Sequence, residues 1–444
     1  MSIDNPSLVA LLALFLVLCP CCYRILYPLP PGPFRLPLIG NPWAIPLSNQ
    51  SQKFWEWSRR MVQSKGSEIV YFQNFGTPLV VLNSQHSVED LLNKQSRYSS
   101  NRPPVTPFLQ IWVGDVVFAN GELFKSHRTL FKKHFSPRDK KFPQGHAEQA
   151  LPDLLNGFRH SPKDWQRHIR IMMARVIHGV AYGITIDSTG DHWVDSAEAM
   201  ISVLNEAALP GAYFVYLFRF LPSWFPRPYF IRRVDDCNGI RSKTISATFE
   251  AVPKGVDSFV SRCLQDESYG TMTQLIIDTA GTMYEGGADT TTIALRTFIL
   301  AMALFPERQE AAQAEMDSVL GTNDPAYGEE DKLPYFKAVL RECFSYSAFP
   351  HVTNQDLQYN GYKIPQGTVI LANVWGILRD PKIYGSNADN FDPERWLKRD
   401  ERGWQWDNDL PDSYNLSFGF GARTPGQFEC RLVVRSKTCK ALGK

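Results

Sequence analysis

Residues 272–305 read MTQLIIDTAGTMYEGGADTTTIALRTFILAMALF. Apolar side chains run almost all round this stretch, the pattern of a helix buried through the middle of a large protein rather than one lying on its surface. Such a helix should avoid EGGADTTT, which stands at its centre. Gly286 and Gly287 weaken a helix, and the hydroxyls of Thr290, Thr291 and Thr292 can bond back to carbonyls one turn earlier. These residues predict a local notch with Asp289 beside it. A plainer reading stands next to it, in which the glycine pair lets another element pack close and the threonines are filler.

The rest of the chain supplies the body that such a helix needs. Its 444 residues are 44% hydrophobic, 13% aromatic and 21% charged, a composition that suits one large folded body. No Gly/Ser linker or charge block divides it, so a single domain is expected. Lys plus Arg number 47 against 45 Asp plus Glu, leaving +2, so no global field attracts nucleic acid and no nucleic-acid partner is expected. Eight cysteines are present, three of them (Cys19, Cys21, Cys22) near the N-terminus. Cys237, Cys263, Cys343, Cys430 and Cys439 are scattered without metal-site spacing.

The N-terminal stretch SLVALLALFLVLCPCCY, residues 7–23, carries no charge, and Ile25 to Tyr27 extend it to the roughly 20 residues that a spanning helix needs. A cleaved signal peptide would want a basic start and small residues at a cleavage point, whereas this stretch follows Asp4 and ends in bulky residues. Residues 1–27 are therefore expected to anchor the chain in a membrane. Arg24 and Arg35 follow the segment and Asp4 precedes it, which places the main body in the cytosol, where the cysteines stay reduced. Residues 28–46, with PLPPGPFRLPLIGNP at 28–42, form a Pro-rich hinge, and 47–444 make up the body.

Within that body most signals are helical. Examples are SVEDLLNKQ (87–95), Trp165 to Tyr182, and PERQEAAQAEMDSVL (306–320), which opens with a proline at a helix start. Two groups of strands are expected, a hairpin over 66–83 that turns near Gly76 and a second group over 357–375. The fold class is mainly α with a small β part.

Three further motifs follow the central helix in the chain or precede it: GELFKSHRTLFKKHF (121–135), LPYFKAVLRECFSYSAFPH (333–351) and NADNFDPERWL (387–397). A last one is FGFGARTPGQFEC (418–430). Taken singly, Glu342 and Arg395 read as solvated charges. In this order, with the anchor and the hinge, the chain resembles the membrane-anchored cytochromes P450, haem-thiolate monooxygenases, and its wording is most similar to fungal members. The resemblance runs from the anchor to about Arg423. It implies a P450 fold with an N-terminal transmembrane helix and a haem cofactor. Gly287 would lie beside that haem, Thr290 would hydrogen-bond dioxygen and Asp289 would feed protons to it. An acid and an alcohol side by side can relay protons in a dry pocket.

By the same resemblance Arg128 binds a haem propionate, with His127 beside it as a helper, and Phe124 stands where the family usually has tryptophan. His351 and Arg423 resemble further propionate contacts, and Phe418 the aromatic that shields the thiolate. The implied partners are an NADPH-cytochrome P450 reductase, a lipophilic small-molecule substrate and the endoplasmic reticulum membrane, which the chain would cross once. The implied setting is secondary metabolism or detoxification. The aromatic stretch 208–230 would roof the pocket, or simply form an interior cluster. The basic run FKKHFSPRDKK (131–141) would face the acidic reductase, or simply be solvated surface.

Two departures qualify the resemblance. The family's haem loop continues Arg, any residue, Cys, yet here Pro425 follows Thr424, and Cys430 lies seven residues beyond Arg423. The text after Thr424 resembles the family's extreme C-terminal strand, as if a segment carrying the ligand and the next helix were excised, leaving the fold incomplete at its C-terminal end. The family's Glu-x-x-Arg appears as Glu342, Cys343, Phe344, Ser345, so Glu342 lacks its usual arginine and Arg395 is the available substitute. Two readings therefore stand: a monooxygenase, and a non-catalytic remnant that binds haem or a lipophile weakly or does not fold.

Overall fold

The structure, a computed structural model, describes residues 28–37, 39–46, 49–103, 116–135, 141–186, 194, 229–321, 329–343, 350–401, 403–411, 413, 416 and 419–420. These residues fall into two compact units. One lies within Met1–Pro103, Ser345–Asn390 and Pro411–Pro425, the other within Pro104–Phe344 and Phe391–Leu410. Each unit is assembled from segments far apart in the chain, so no linker composition marks a boundary between them. The proposed anchor, residues 1–27, lies outside the described residues.

The first unit is built on a four-stranded sheet. After helix α1 (Gln50–Lys65), which Gly66 ends in the left-handed region at φ 63°, come β1 (Ile69–Asn74) and β2 (Thr77–Leu82). They pair antiparallel as the hairpin predicted for 66–83, and Phe75 and Gly76, both at positive φ, make the turn. β4 (Leu357–Tyr359), β5 (Tyr362–Ile364) and β6 (Val369–Ala372) answer the second strand signal, and β3 (His351–Val352) precedes it. The sheet order is β1-β2-β6-β3, with β6 parallel to β2, while β4 and β5 form a separate hairpin turning at Asn360 and Gly361. Phe54 of α1 is buried with Val70, Phe72 and Val81, which seats the helix on one sheet face.

The helix predicted for 87–95 starts earlier. The Ser84 hydroxyl accepts from the Ser87 amide at 3.1 Å as an N-cap, so the first turn is Gln85–Val88, and Glu89–Lys94 continues it as a π-helix.

The second unit is helical: α2 (Gly121–His134), α3 (Lys141–His160), α4 (Trp165–Tyr182), α5 (Tyr229–Glu250), α6 (Phe259–Gln265), α7 (Thr273–Leu304), α8 (Pro306–Leu320) and α9 (Pro334–Cys343). A short hairpin, β7 (Leu397–Asp400) with β8 (Gly403–Trp406), joins it. The α7 helix is its axis. Leu130, Ile169, Met172, Met173, Val176, Phe259, Ile276 and Ala280 form one buried cluster that packs α2, α4 and α6 around it. Pro306 lacks the amide that would continue α7, so the chain turns by 106° at Phe305 and restarts as α8. Among the described residues no single helix is long and apolar enough to cross a membrane. The architecture is mainly α with a small β part, as the sequence predicts.

Candidate functional site

The notch expected in the central helix is not a break: α7 runs uninterrupted from Thr273 to Leu304. Glycine keeps its amide and carbonyl, so the hydrogen-bond ladder survives, and what changes is the surface. A Cβ on Gly287 would come within 2.4 Å of Ile177 Cδ1 on α4, whereas one on Gly286 would meet nothing within 4 Å. The two glycines therefore do different things. Gly287 serves the close approach of α4, which is the plainer reading of the pair, and Gly286 leaves an open, exposed patch of helix backbone. Thr290 faces the same opening, and its hydroxyl donates to the Gly286 carbonyl at 2.6 Å. The Thr292 hydroxyl does likewise to Ala288 at 2.6 Å, but is buried.

Asp289 is half-buried beside this opening. Burial pushes its carboxyl above the ordinary aspartate range, and Arg170 and Arg296 pull it back down. The turn thus presents a half-buried acid with a raised pKa next to an exposed threonine. The hydroxyl of Thr290 already spends its proton on Gly286, so it is ready to accept a hydrogen bond and can donate outward only by releasing that carbonyl.

On α2, the guanidinium of Arg128 lies 5.8 Å from the centre of the Phe124 ring. Arg128 is partly buried, and that burial lowers its pKa, a setting in which an anionic partner is favoured. His127, expected beside Arg128 as a helper, is engaged with the central helix through Nδ1. Its side chain is fully buried, with Nδ1 at 2.7 Å from Thr279 Oγ1 on α7. The Thr279 hydroxyl gives its own proton to the Leu275 carbonyl at 2.6 Å, so His127 Nδ1–H is the donor. His127 ties α2 to α7.

Glu342 and Arg395, which taken singly read as solvated charges, are paired as expected of Arg395 as the substitute partner. Their side chains are 11% and 5% exposed and stand 3.2 Å apart. Glu342 further accepts from the Trp396 indole at 2.8 Å and from the Asp392 amide at 3.2 Å. The carboxylate that lacks its Glu-x-x-Arg arginine is thus held by three other donors, all from the 392–396 turn. Burial pushes its pKa up while Arg395 pulls it down. The basic run is partly neutralised: Lys133 and His134 both lie against Asp266, at 2.5 and 3.0 Å.

In the first unit, His351 is buried on β3, and its Nδ1–H donates to the Ser99 carbonyl at 3.0 Å. Phe420 is buried with its ring 6.3 Å from that of His351. Arg102, which the sequence reading missed, is buried and donates to the Pro350 carbonyl at 2.7 Å. It sits in NRPP with no feature that distinguishes it from a loop cation. Phe418 and Arg423 lie outside the described residues, as do most of 208–230 and all of 136–140.

A haem is tested against these residues side by side. Arg128 offers the cation that a propionate edge needs, and Gly286, Asp289 and Thr290 offer an open face with an acid and an alcohol. The iron is another matter. Among the described residues, Cys263 and Cys343 are buried thiols; burial pushes Cys263 up to about 12 and Cys343 upward as well, the opposite of a ligand thiolate. No group of three or more His, Cys, Asp or Glu gathers as a metal cluster among the described residues. The sequence has no cysteine between Arg423 and Pro425. Among the described residues, the side chains fit the edge and open face of the cofactor, and no thiol fits its axial ligation.

Comparison with known proteins bears on the same residues. The cytochrome P450 family profile matches residues 30–424. Cytochrome P450 monooxygenase COX1 of Coprinopsis cinerea is 31% identical over 430 residues, spanning 90% of this chain and 81% of that protein. Cytochrome P450 monooxygenase 98 of Postia placenta is 30% identical, spanning 95% and 85%. Tryptamine 4-monooxygenase of Psilocybe cyanescens is 32% identical, spanning 90% and 82%.

Proposed function

The chain belongs to the cytochrome P450 family of haem monooxygenases, and from that premise we propose that Asp289 and Thr290 are its proton-delivering pair for oxidation of a lipophilic small molecule. In this family the haem, held by a cysteine thiolate, activates O2 so that one oxygen atom enters the substrate. The observation that carries the reading is the turn itself: a half-buried acid whose pKa burial raises, adjoining an exposed threonine over an open glycine. Burial raises the Asp289 carboxyl and so favours its protonated form; from that form Thr290 Oγ would accept a proton and pass one on when it releases the Gly286 carbonyl. Arg128 is the residue of the helical unit assigned to a haem propionate.

The wider setting belongs to the same proposal. Electrons would come from an NADPH-dependent flavoprotein reductase, met by the positive charges of α2 that remain unneutralised, such as Lys132. Residues 1–27 would anchor the chain in the endoplasmic reticulum membrane, with the hinge 28–46 leading to a cytosolic body and lipophilic substrate reaching it from the bilayer. The pathway would be secondary metabolism or detoxification.

A second reading, a non-catalytic family member, is favoured by one observation: Pro425 stands where the ligand cysteine belongs. The carbon monoxide difference spectrum of the reduced, haem-supplied chain separates the two. A thiolate-type band means that a cysteine, with Cys430 the nearest in sequence, reaches the iron, and the monooxygenase reading stands. A folded sample without that band removes the chemistry and leaves the remnant.

A further inference from the structure

Glu285 immediately precedes the glycine pair on α7, and its carboxylate is buried against α5. Arg241 Nε donates to Glu285 Oε1 at 2.6 Å, with side chains 9% and 5% exposed. One turn earlier, Gly281 lies against Ile245 of α5, where a Cβ would approach Ile245 Cδ1 to 2.8 Å. The two contacts share one spacing. Positions 281 and 285 are a turn apart on α7, while 245 and 241 are a turn apart on α5 in the opposite sense, so the helices run antiparallel in matched register. A close glycine contact fixes the distance between the helices, and a directional ion pair one turn away fixes their sliding and rotation.

The α4 side is equally engaged. The Tyr284 ring meets the His178 ring at 4.7 Å, edge to face, and Gly287 abuts Ile177. Tyr284, Glu285 and Gly287 therefore each grip a neighbouring helix immediately before the open turn.

We propose that Arg241 and Glu285 are positioning residues for the Asp289–Thr290 turn: their buried pair pins α5 against α7 at the residue before Gly286 and so holds the open glycine and the Thr290 hydroxyl in place. This rests on reading Asp289 and Thr290 as the proton-delivering pair. The case for a positioning role is that a buried ion pair contributes little net stability compared with apolar residues of the same size, while its geometry is directional. An α5–α7 contact needed only for adhesion would be served as well by leucine and methionine.

The pair also makes the role testable by pH. Among the described residues, the groups around Glu285 include Arg241 from α5, Tyr182 from α4 and Tyr284 on α7 itself, whose ring meets His178 of α4. Burial holds both tyrosines protonated, and His178 Nδ1–H donates to the Ala174 carbonyl at 2.8 Å. Arg241 carries the full positive charge of the set. Without it, Glu285 has two courses: to take up a proton and remain buried at low pH, or to ionise and admit water to the interface at high pH.

Hydrogen–deuterium exchange of the full chain reads the turn directly. In the unsubstituted chain, peptides covering 284–292 should exchange slowly. In Arg241→Met they should exchange at least tenfold faster at pH 8, after correction for intrinsic rates, and clearly less so at pH 6, while 273–280 and 296–304 stay within twofold. Arg241→Lys, which keeps the charge, should return the turn to within threefold. Glu285→Gln, which leaves no unpaired carboxylate, should loosen the same peptides about threefold at both pH values. Fast exchange of 284–292 in the unsubstituted chain, loosening spread evenly along α7, equal loosening at both pH values, or no rescue by lysine would each overturn the proposal. Exchange does not depend on turnover, so its failure is distinct from a missing thiolate band, which bears on the monooxygenase reading alone.

Discussion

Arg395→Met tests how the Glu342 carboxylate survives without the family's usual arginine. Removing one partner from a buried ion pair typically costs about 3–5 kcal/mol, because the other charge is stranded. Here the stranded group keeps two donors, the Trp396 indole at 2.8 Å and the Asp392 amide at 3.2 Å, and hydrogen bonds to a charged group contribute about 1.5–3 kcal/mol each. The cost should therefore fall at the lower end, about 3 kcal/mol at pH 8. The pH sense follows from the carboxyl. Burial raises the Glu342 pKa and Arg395 lowers it, so the variant raises it further. A raised folded-state pKa gives stability that is fully present below the unfolded-state pKa and is lost as pH rises through the folded one. The deficit of Arg395→Met should thus shrink as pH falls toward the ordinary glutamate value, about 4.3. Glu342→Gln, which strands no carboxylate, should show a smaller loss without that dependence. Urea unfolding followed by tryptophan fluorescence measures both, since Trp396 stacks on Trp406 at 6.3 Å beside the site. A cost below about 1 kcal/mol, the range of an exposed pair, or a deficit indifferent to pH would refute the reasoning.

The other predictions concern α7. Gly287→Ala should destabilise by about 1–3 kcal/mol because its methyl meets Ile177, while Gly286→Ala, with open space, should stabilise by about 0.5–1 kcal/mol in thermal unfolding. Thr279→Val removes the acceptor of the His127 Nδ1–H and should cost about 1–3 kcal/mol, whereas the double variant with His127→Leu should be closer to neutral than the sum of the single changes. Burial raises the Asp289 carboxyl, so its contribution is present below about pH 4 and lost as pH rises through the folded value. Asp289→Asn should match the unsubstituted chain in acid and become the more stable of the two toward pH 8, read as urea midpoints across that range.

Local pattern carried much of the fold. The α4 helix begins and ends at Trp165 and Tyr182 as its periodicity predicts, and Pro306 marks the α7–α8 corner because a missing amide acts on its own neighbourhood. What failed were judgements that depend on a partner distant in sequence. Glu342 and Arg395 look solvated singly because each partner is about fifty residues away, and burial is a property of the pair. Gly286 and Gly287 are chemically identical in the sequence, and only the approach of Ile177 tells which one faces a helix and which an opening. Adjacent residues on a helix point about 100° apart, so the sequence does not show that His127 turns into the core while Arg128 lies against Phe124. Arg241 and Glu285, 44 residues apart, left no local signal.

The two departures from the family pattern differ in what can absorb them. A buried carboxylate needs hydrogen-bond donors, and donors are abundant: any backbone amide, indole or guanidinium will serve if it points the right way. The 392–396 turn supplies one of each to Glu342, so the loss of the Glu-x-x-Arg arginine leaves no stranded charge in this unit. An axial thiolate has no such pool of substitutes. It requires a cysteine, deprotonated, at the iron, and Cys263 and Cys343 are committed to apolar cores where the neutral thiol is favoured. The fold of the helical unit therefore tolerates its departure through ordinary donors, whereas the oxygen chemistry depends on one residue type at one place in the chain. That asymmetry makes folding and haem–thiolate formation separable: urea unfolding of the Glu342 variants addresses the first, and the carbon monoxide spectrum the second.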